Sequence, residues 1–207
     1  MSRQFPSLRG LAIIIVVLNH SIMMLTSFPK ELGIPPAQGW EWYLLTFLEK
    51  FGGFAVPTFL FISGGFFAYA ARNSRTGVSL RMIGANLRHI LFPYLIWSII
   101  FYLILYGYHG ISYSIFGYVK NLIVGYPFNF VPLLALFYIL SPFLVRAGKR
   151  HGLLLLLVLG TYQFFLINQV YPGAWGFEFP GWLTSLTPPI VRQTLAVWGI
   201  YFPLGLV

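Results

Sequence analysis

The sequence predicts an all-α protein, a polytopic membrane helix bundle of about five complete spans and a partial sixth, with short interfacial helices between them. Three observations predict it. The 207 residues are 58% hydrophobic, 19% aromatic and only 8% charged, with a mean hydropathy of +0.78, whereas a soluble domain carries about 25% charged residues. Apolar runs long enough to cross a bilayer recur along the chain. The bases flank those runs instead of gathering in a polar domain, so a net charge of +9 from thirteen Lys and Arg against four Glu speaks for membrane topology and against a nucleic-acid partner. The expected surroundings are a lipid bilayer and the location a cell membrane. With no cysteine, disulfides and thiolate metal sites are excluded.

Residues 8–28, LRGLAIIIVVLNHSIMMLTSF, form the first span. At about 1.5 Å per residue the run reaches roughly 30 Å, the thickness of the hydrocarbon core. It is longer than the apolar region of a signal peptide, and no small-residue cleavage site follows it. Residues 29–50 form a loop ending in GWEWYLLTFLEKF, where Trp40, Tyr43, Leu44, Phe47, Leu48 and Phe51 recur at three or four, the pattern of an interfacial helix. The second span covers residues 51–72. A segment with Arg72, Arg75, Arg81 and Arg88 and no acid leads to the third span, residues 90–108, with Pro93 expected in its first turn. Residues 111–126 place Ile111, Ile115, Val119, Leu122 and Ile123 on one face, a second interfacial candidate.

The fourth span, residues 128–145, ends at Arg146, Lys149 and Arg150, and the fifth covers residues 152–170. A loop rich in Gly, Pro and Trp reaches to about residue 190, and Trp175 and Trp182 in it read as interface anchors. Residues 191–207 are too short, and broken by Pro203, for a complete crossing. They read as a partial span, and the chain as a single domain over 1–207, incomplete at its C-terminus. Counting bases on alternate sides gives Arg3, Arg9, Arg72, Arg75, Arg81, Arg88, Arg146, Lys149 and Arg150 on one, against Lys30, Lys50, Lys120 and Arg192 on the other. The richer side is cytoplasmic, which puts the N-terminus inside.

Two ionisable residues lie in the first span. Arg9 and His20 are eleven positions apart, about three helical turns, so they share a face and stand on the order of 16 Å apart along the axis. Charged and titratable groups at membrane depth usually face a cavity where they act. A neutral imidazole there suits a general base that takes a proton from an attacking hydroxyl; the competing reading is a histidine whose nitrogens are satisfied by neighbouring helices. Arg9 fits an anion-binding role for a ligand entering from the cytoplasm, and equally the topological bias for bases. The same two readings apply to Arg88. Ser63 and Gly64, in Phe61, Ile62, Ser63, Gly64, Gly65, make either a close helix contact or a gap for a thin acyl chain, with Ser63 offering a hydrogen bond. No metal cluster, phosphate loop, dinucleotide fingerprint or nucleophile elbow is present.

The motif SLRGLAIIIVVLNH resembles the first span of acyltransferase family 3, the integral-membrane O-acyltransferases, whose signature is an Arg, ten residues and a His, here Arg9 and His20. AVPTFLFISGG is similar to the family's apolar stretch with a Ser-Gly pair, here Ser63 and Gly64. LRHILFPYLIW resembles its basic run before Pro-Tyr, matching Arg88, Pro93 and Tyr94, and FVPLLALFYILSPFL and YFPLGL are similar to later spans. The chain departs from the common pattern at Ser7 and Pro57, where many members have an acid, and at Ala85, where a second Arg is frequent. The resemblance implies an enzyme that moves an acyl group, acetyl being the expected one, from acyl-CoA to a hydroxyl of a glycan or glycolipid, with no metal. His20 would be catalytic, and Arg9, Arg88 and Ser63 would bind the donor. The rival expectation is a non-catalytic membrane component, a lipid-linked sugar carrier or a remnant of an acyltransferase.

Overall fold

A computed structural model describes residues 4–31, 39–72, 78–126 and 128–207, and the side chains of the first segment at residues 7, 8 and 10–22. The described α-helices follow from apolar runs bounded by Gly, Pro and polar residues. Helix α1 spans Gln4–Glu31, α2 Trp40–Gly52 and α3 Ala55–Arg72. Only Gly53 and Phe54 separate α2 from α3, and the hydrogen bonds run on across them, from Gly53 N–H to the Glu49 carbonyl and from Thr58 N–H to that of Phe54. The expected interfacial helix therefore exists but is continuous with the second span, and Trp40–Arg72 together form a 33-residue apolar rod. Trp40, Tyr43, Phe47 and Phe51 remain on its outer surface.

Helix α1 lies antiparallel to that rod. Leu8 and Ile62 line one small cavity, while Asn19 packs on Gly52 so closely that a Cβ there would meet its side-chain oxygen at 2.5 Å. Ala12, buried, faces the rod between these points.

Helix α4, Leu80–His109, corrects the predicted third span. It starts ten residues before the expected 90, and Pro93 is in its interior instead of its first turn. Leu80, Met82, Ala85 and Leu87 are good helix formers, so the basic stretch extends the helix inward, and the missing Pro93 N–H is a site where such a helix bends. Gly110, at φ 64°, ends it in the left-handed conformation that glycine adopts without penalty. Helix α5, Ile115–Val124, is capped by the Ser114 hydroxyl, which accepts from Gly117 N–H, and closed by Gly125 at φ 94°. It is the amphipathic helix expected over 111–126. Two tyrosines of α4 hold it: the Tyr94 hydroxyl donates to the Leu122 carbonyl at 2.7 Å and that of Tyr102 to Tyr126 at 2.8 Å.

Helix α6, Phe130–Val170, has helical hydrogen bonding for 41 residues, with one break in backbone geometry at His151 (φ −145°, ψ 58°). A straight helix of that length would hold its ends roughly 60 Å apart. Yet Arg192 donates a hydrogen bond to the carbonyl of Gln169, the second-last residue of the run, and lines the same cavity as Asn129, the residue just before its start. At the opposite end, Gly148 and Gly152 both touch Val207. The two halves therefore fold back on each other at His151, and the predicted fourth and fifth spans are the two arms of this hairpin.

Helices α7, Arg192–Trp198, and α8, Tyr201–Leu206, break at Gly199 and fill the space beside α3 and α6. Residues 191–207 thus contribute one face to the core, with Ala196 and Phe202 fully buried. Phe202 stacks on Phe137 at 4.9 Å and lies within 5.9 Å of Phe67, which in turn meets Tyr138 at 4.8 Å. Among the described residues three helical segments, Trp40–Arg72, Leu80–His109 and Phe130–Val170, are long and apolar enough to cross a membrane, the last of them doubled.

Candidate functional site

His20 is set by its own helix. Its Nδ1 lies 2.8 Å from the Val16 carbonyl, one turn back. A carbonyl only accepts, so in that bond the proton is on Nδ1, and in a neutral ring Nε2 then carries the lone pair. The ring projects from an exposed face of α1, next to Ser21, whose hydroxyl donates to Val17 in the same way at 3.0 Å. Polar groups in a run rich in Leu, Ile and Val are costly to leave in hydrocarbon. Both here relieve part of that cost through backbone bonds, and among the described residues the second nitrogen of His20 has no hydrogen-bond partner.

The neighbouring Asn19 sets the depth. Because it meets Gly52, His20 stands level with the α2–α3 junction, well inside the length of α1. Leu8 shares a cavity of about 110 Å³ with Ile62, so position 9 of the backbone stands level with Ile62 and Ser63; the side chain of Arg9 lies outside the described residues. The helix axis thus carries the Arg9 position and His20 about three turns apart along one face.

Ser63 is fully buried in α3. Its hydroxyl has no hydrogen-bond partner, although a serine in a helix can usually reach the carbonyl one turn back. Next to it, Gly64 packs against the Phe202 carbonyl and, reciprocally, Gly205 against that of Phe61; a Cβ would stand 2.1 Å and 2.0 Å from those oxygens. Of the two expectations for this small-residue patch, close helix packing accounts for Gly64. Arg88 is exposed on α4. No hydrogen bond or ion pair among the described residues joins His20, Ser63 and Arg88, and the cavity between α1 and α3 is lined by none of them.

The basic end of the molecule is assembled across helices. Lys149, at the turn of the α6 hairpin, donates to the Ala71 carbonyl in the last turn of α3, where a cation complements the helix dipole. This brings Arg146, Lys149, Arg150 and Arg72 to one end. Among the described residues no cluster of three His, Asp or Glu could hold a metal.

Sequence reasoning passes over Asn19 and Asn168 and uses Arg192 only as a topological base. Asn168, 2% exposed, donates to the Phe177 carbonyl at 2.7 Å and accepts from Phe179 N–H at 3.2 Å, tying the loop after α6 to the bundle. The available signal for all three is a strongly polar residue inside or against an apolar run. No curated protein and no solved structure matches the chain. A family model described as an acyltransferase domain matches it over residues 5–207, nearly its whole length, and the chain belongs to acyltransferase family 3, a family of membrane acyltransferases.

Proposed function

We propose that the protein transfers an acyl group, acetyl in the first instance, from a cytoplasmic acyl-CoA to a hydroxyl of a glycan or glycolipid on the other side of the membrane. The acceptor oxygen attacks the thioester carbonyl, the new C–O bond forms, the C–S bond breaks, and the CoA thiolate leaves. His20 takes the hydroxyl proton on Nε2. Arg9 and Arg88 hold the CoA phosphates, and Ser63 offers its unmatched hydroxyl to the donor chain. The N-terminus lies in the cytoplasm, on the side where bases predominate.

The observation that carries this reading is the bond from His20 Nδ1 to Val16. It suits a ring that donates from Nδ1 and takes the proton on Nε2, about three turns from an arginine position along the same helix. General-base assistance contributes typically about a hundred- to ten-thousand-fold. The test is acyl-CoA-dependent acylation of the producing cell's surface glycan by the wild type and by His20→Ala and His20→Gln at matched membrane abundance. The expected result is a loss of roughly two to four orders of magnitude in rate for both variants. Unchanged acylation by either removes His20 from the chemistry and favours a non-catalytic component.

A further inference from the structure

A lateral groove of about 550 Å³ lies between α4, α5, the first arm of α6 and the segment before α7. Its walls include Leu91, Leu95, Ile123, Leu136, Ile139 and Ile190. The one phenol among them, Tyr94, has already donated its proton to Leu122. Such a groove offers water almost no hydrogen bonds, whereas hydrocarbon loses nothing by entering it.

Pro189 and Val191 form a wall shared with a second cavity, of about 410 Å³ and more polar, where Asn129, Arg192, Gln193 and Thr194 join Val124 and Tyr126 in the lining. Arg192 is half-buried there. One of its terminal nitrogens donates to the Gln169 carbonyl, its Nε is buried without an acceptor, and the only ion pair among the described residues joins Lys50 and Glu49, far along the chain. A guanidinium held beside an apolar groove with no carboxylate is the arrangement that a phosphate, with its oxygens and negative charge, would complete.

We infer that the two cavities are one binding site for a phosphate-headed lipid, its chain in the groove between α4 and α6 and its phosphate on Arg192. An apolar channel and a cation share a wall, which matches the two ends of an amphiphile and neither a soluble anion nor a neutral oil alone. The site is separate from His20 and does not depend on the acyl-transfer reading.

Native mass spectrometry of the purified protein in detergent tests it, with dioleoyl phosphatidic acid, dioleoylglycerol and inorganic phosphate as probes. The phosphatidic acid is expected to be retained and the other two not. Arg192→Gln is expected to weaken retention roughly ten- to a hundredfold, the range of a charge-assisted hydrogen bond. Because that substitution also removes the bond to Gln169, Ile139→Trp gives a second test: it fills the groove from an exposed position and leaves Arg192 in place. Loss of retention in Ile139→Trp at an unchanged unfolding temperature supports the site even if Arg192→Gln fails to fold. Equal retention of dioleoylglycerol overturns the role of Arg192. Inorganic phosphate competing as well as the lipid overturns the role of the groove, and unchanged binding by both variants overturns the whole.

Discussion

Asn168 and Ser63 are both buried polar residues in apolar helices, and their bonding differs in a way that separates structural from functional expectation. Asn168 spends its amide on two backbone groups of the following loop, Phe177 and Phe179, which Trp175 also fixes by stacking on Phe164 at 4.4 Å. Asn168→Ala should therefore destabilise the protein by about 1–3 kcal/mol for each of the two groups that water does not reach. Thermal unfolding in detergent reads the loss, and an unchanged midpoint would mean that water takes over both bonds. Ser63 and Asn19 instead carry buried oxygens with no partner. The first belongs to the Ser-Gly motif and the second is the chain neighbour of His20. Unmatched polar atoms cost stability, so their presence next to the candidate site residues suits positions kept for something other than folding.

Between elements, the contact of α3 with α8 is made by backbone, since Gly64 and Gly205 let each helix reach the other's carbonyls. In a bilayer, where burying apolar surface gives helices little reason to associate, such close approach is a main source of packing energy. Gly64→Ala must push α8 away, because the obstacle is the Phe202 carbonyl and no side-chain rotation clears it. The expected cost is about 1–3 kcal/mol from overpacking. Gly84→Ala is the matching control: it sits inside α4 with nothing within 4 Å of the added methyl, and removing a helix-interior glycine should stabilise by up to about 1 kcal/mol. Unfolding midpoints that move in the same direction for the two variants would refute the account. The patch was visible in the sequence as small residues in an apolar run. Its partner was not, because YFPLGL at 201–206 is too short to read as a span, and periodicity says nothing of which distant helix a short segment will meet.

At the scale of the molecule, the sequence carries the class of fold and most of the crossings, because apolar length and flanking charge are local properties. It misplaces the start of α4, since the Arg81 to Arg88 stretch is polar enough to resemble a loop while its residues favour helix. The Arg9 and His20 register was legible from spacing alone; the complete burial of Ser63 and the cavity at Arg192 needed tertiary contacts. The reversal at His151 lies between these cases. Lys149, Arg150 and His151 interrupt two apolar runs, which predicts two spans, but helical hydrogen bonding continues through them, so secondary structure alone would describe a single rod. Contacts decide for the hairpin, and labelling can test it. The chain has no cysteine, so single cysteines at Asn129, Arg150 and Tyr171, all exposed, report individually to a membrane-impermeant maleimide. Folding back at His151 predicts that Asn129→Cys and Tyr171→Cys react from one side of the membrane and Arg150→Cys only from the other, with the last on the cytoplasmic side if bases set the orientation. A rod crossing once would put positions 129 and 171 on opposite sides. That result would also separate Asn129 from Arg192, which is bonded to Gln169, dissolving the cavity that Asn129 and Arg192 line.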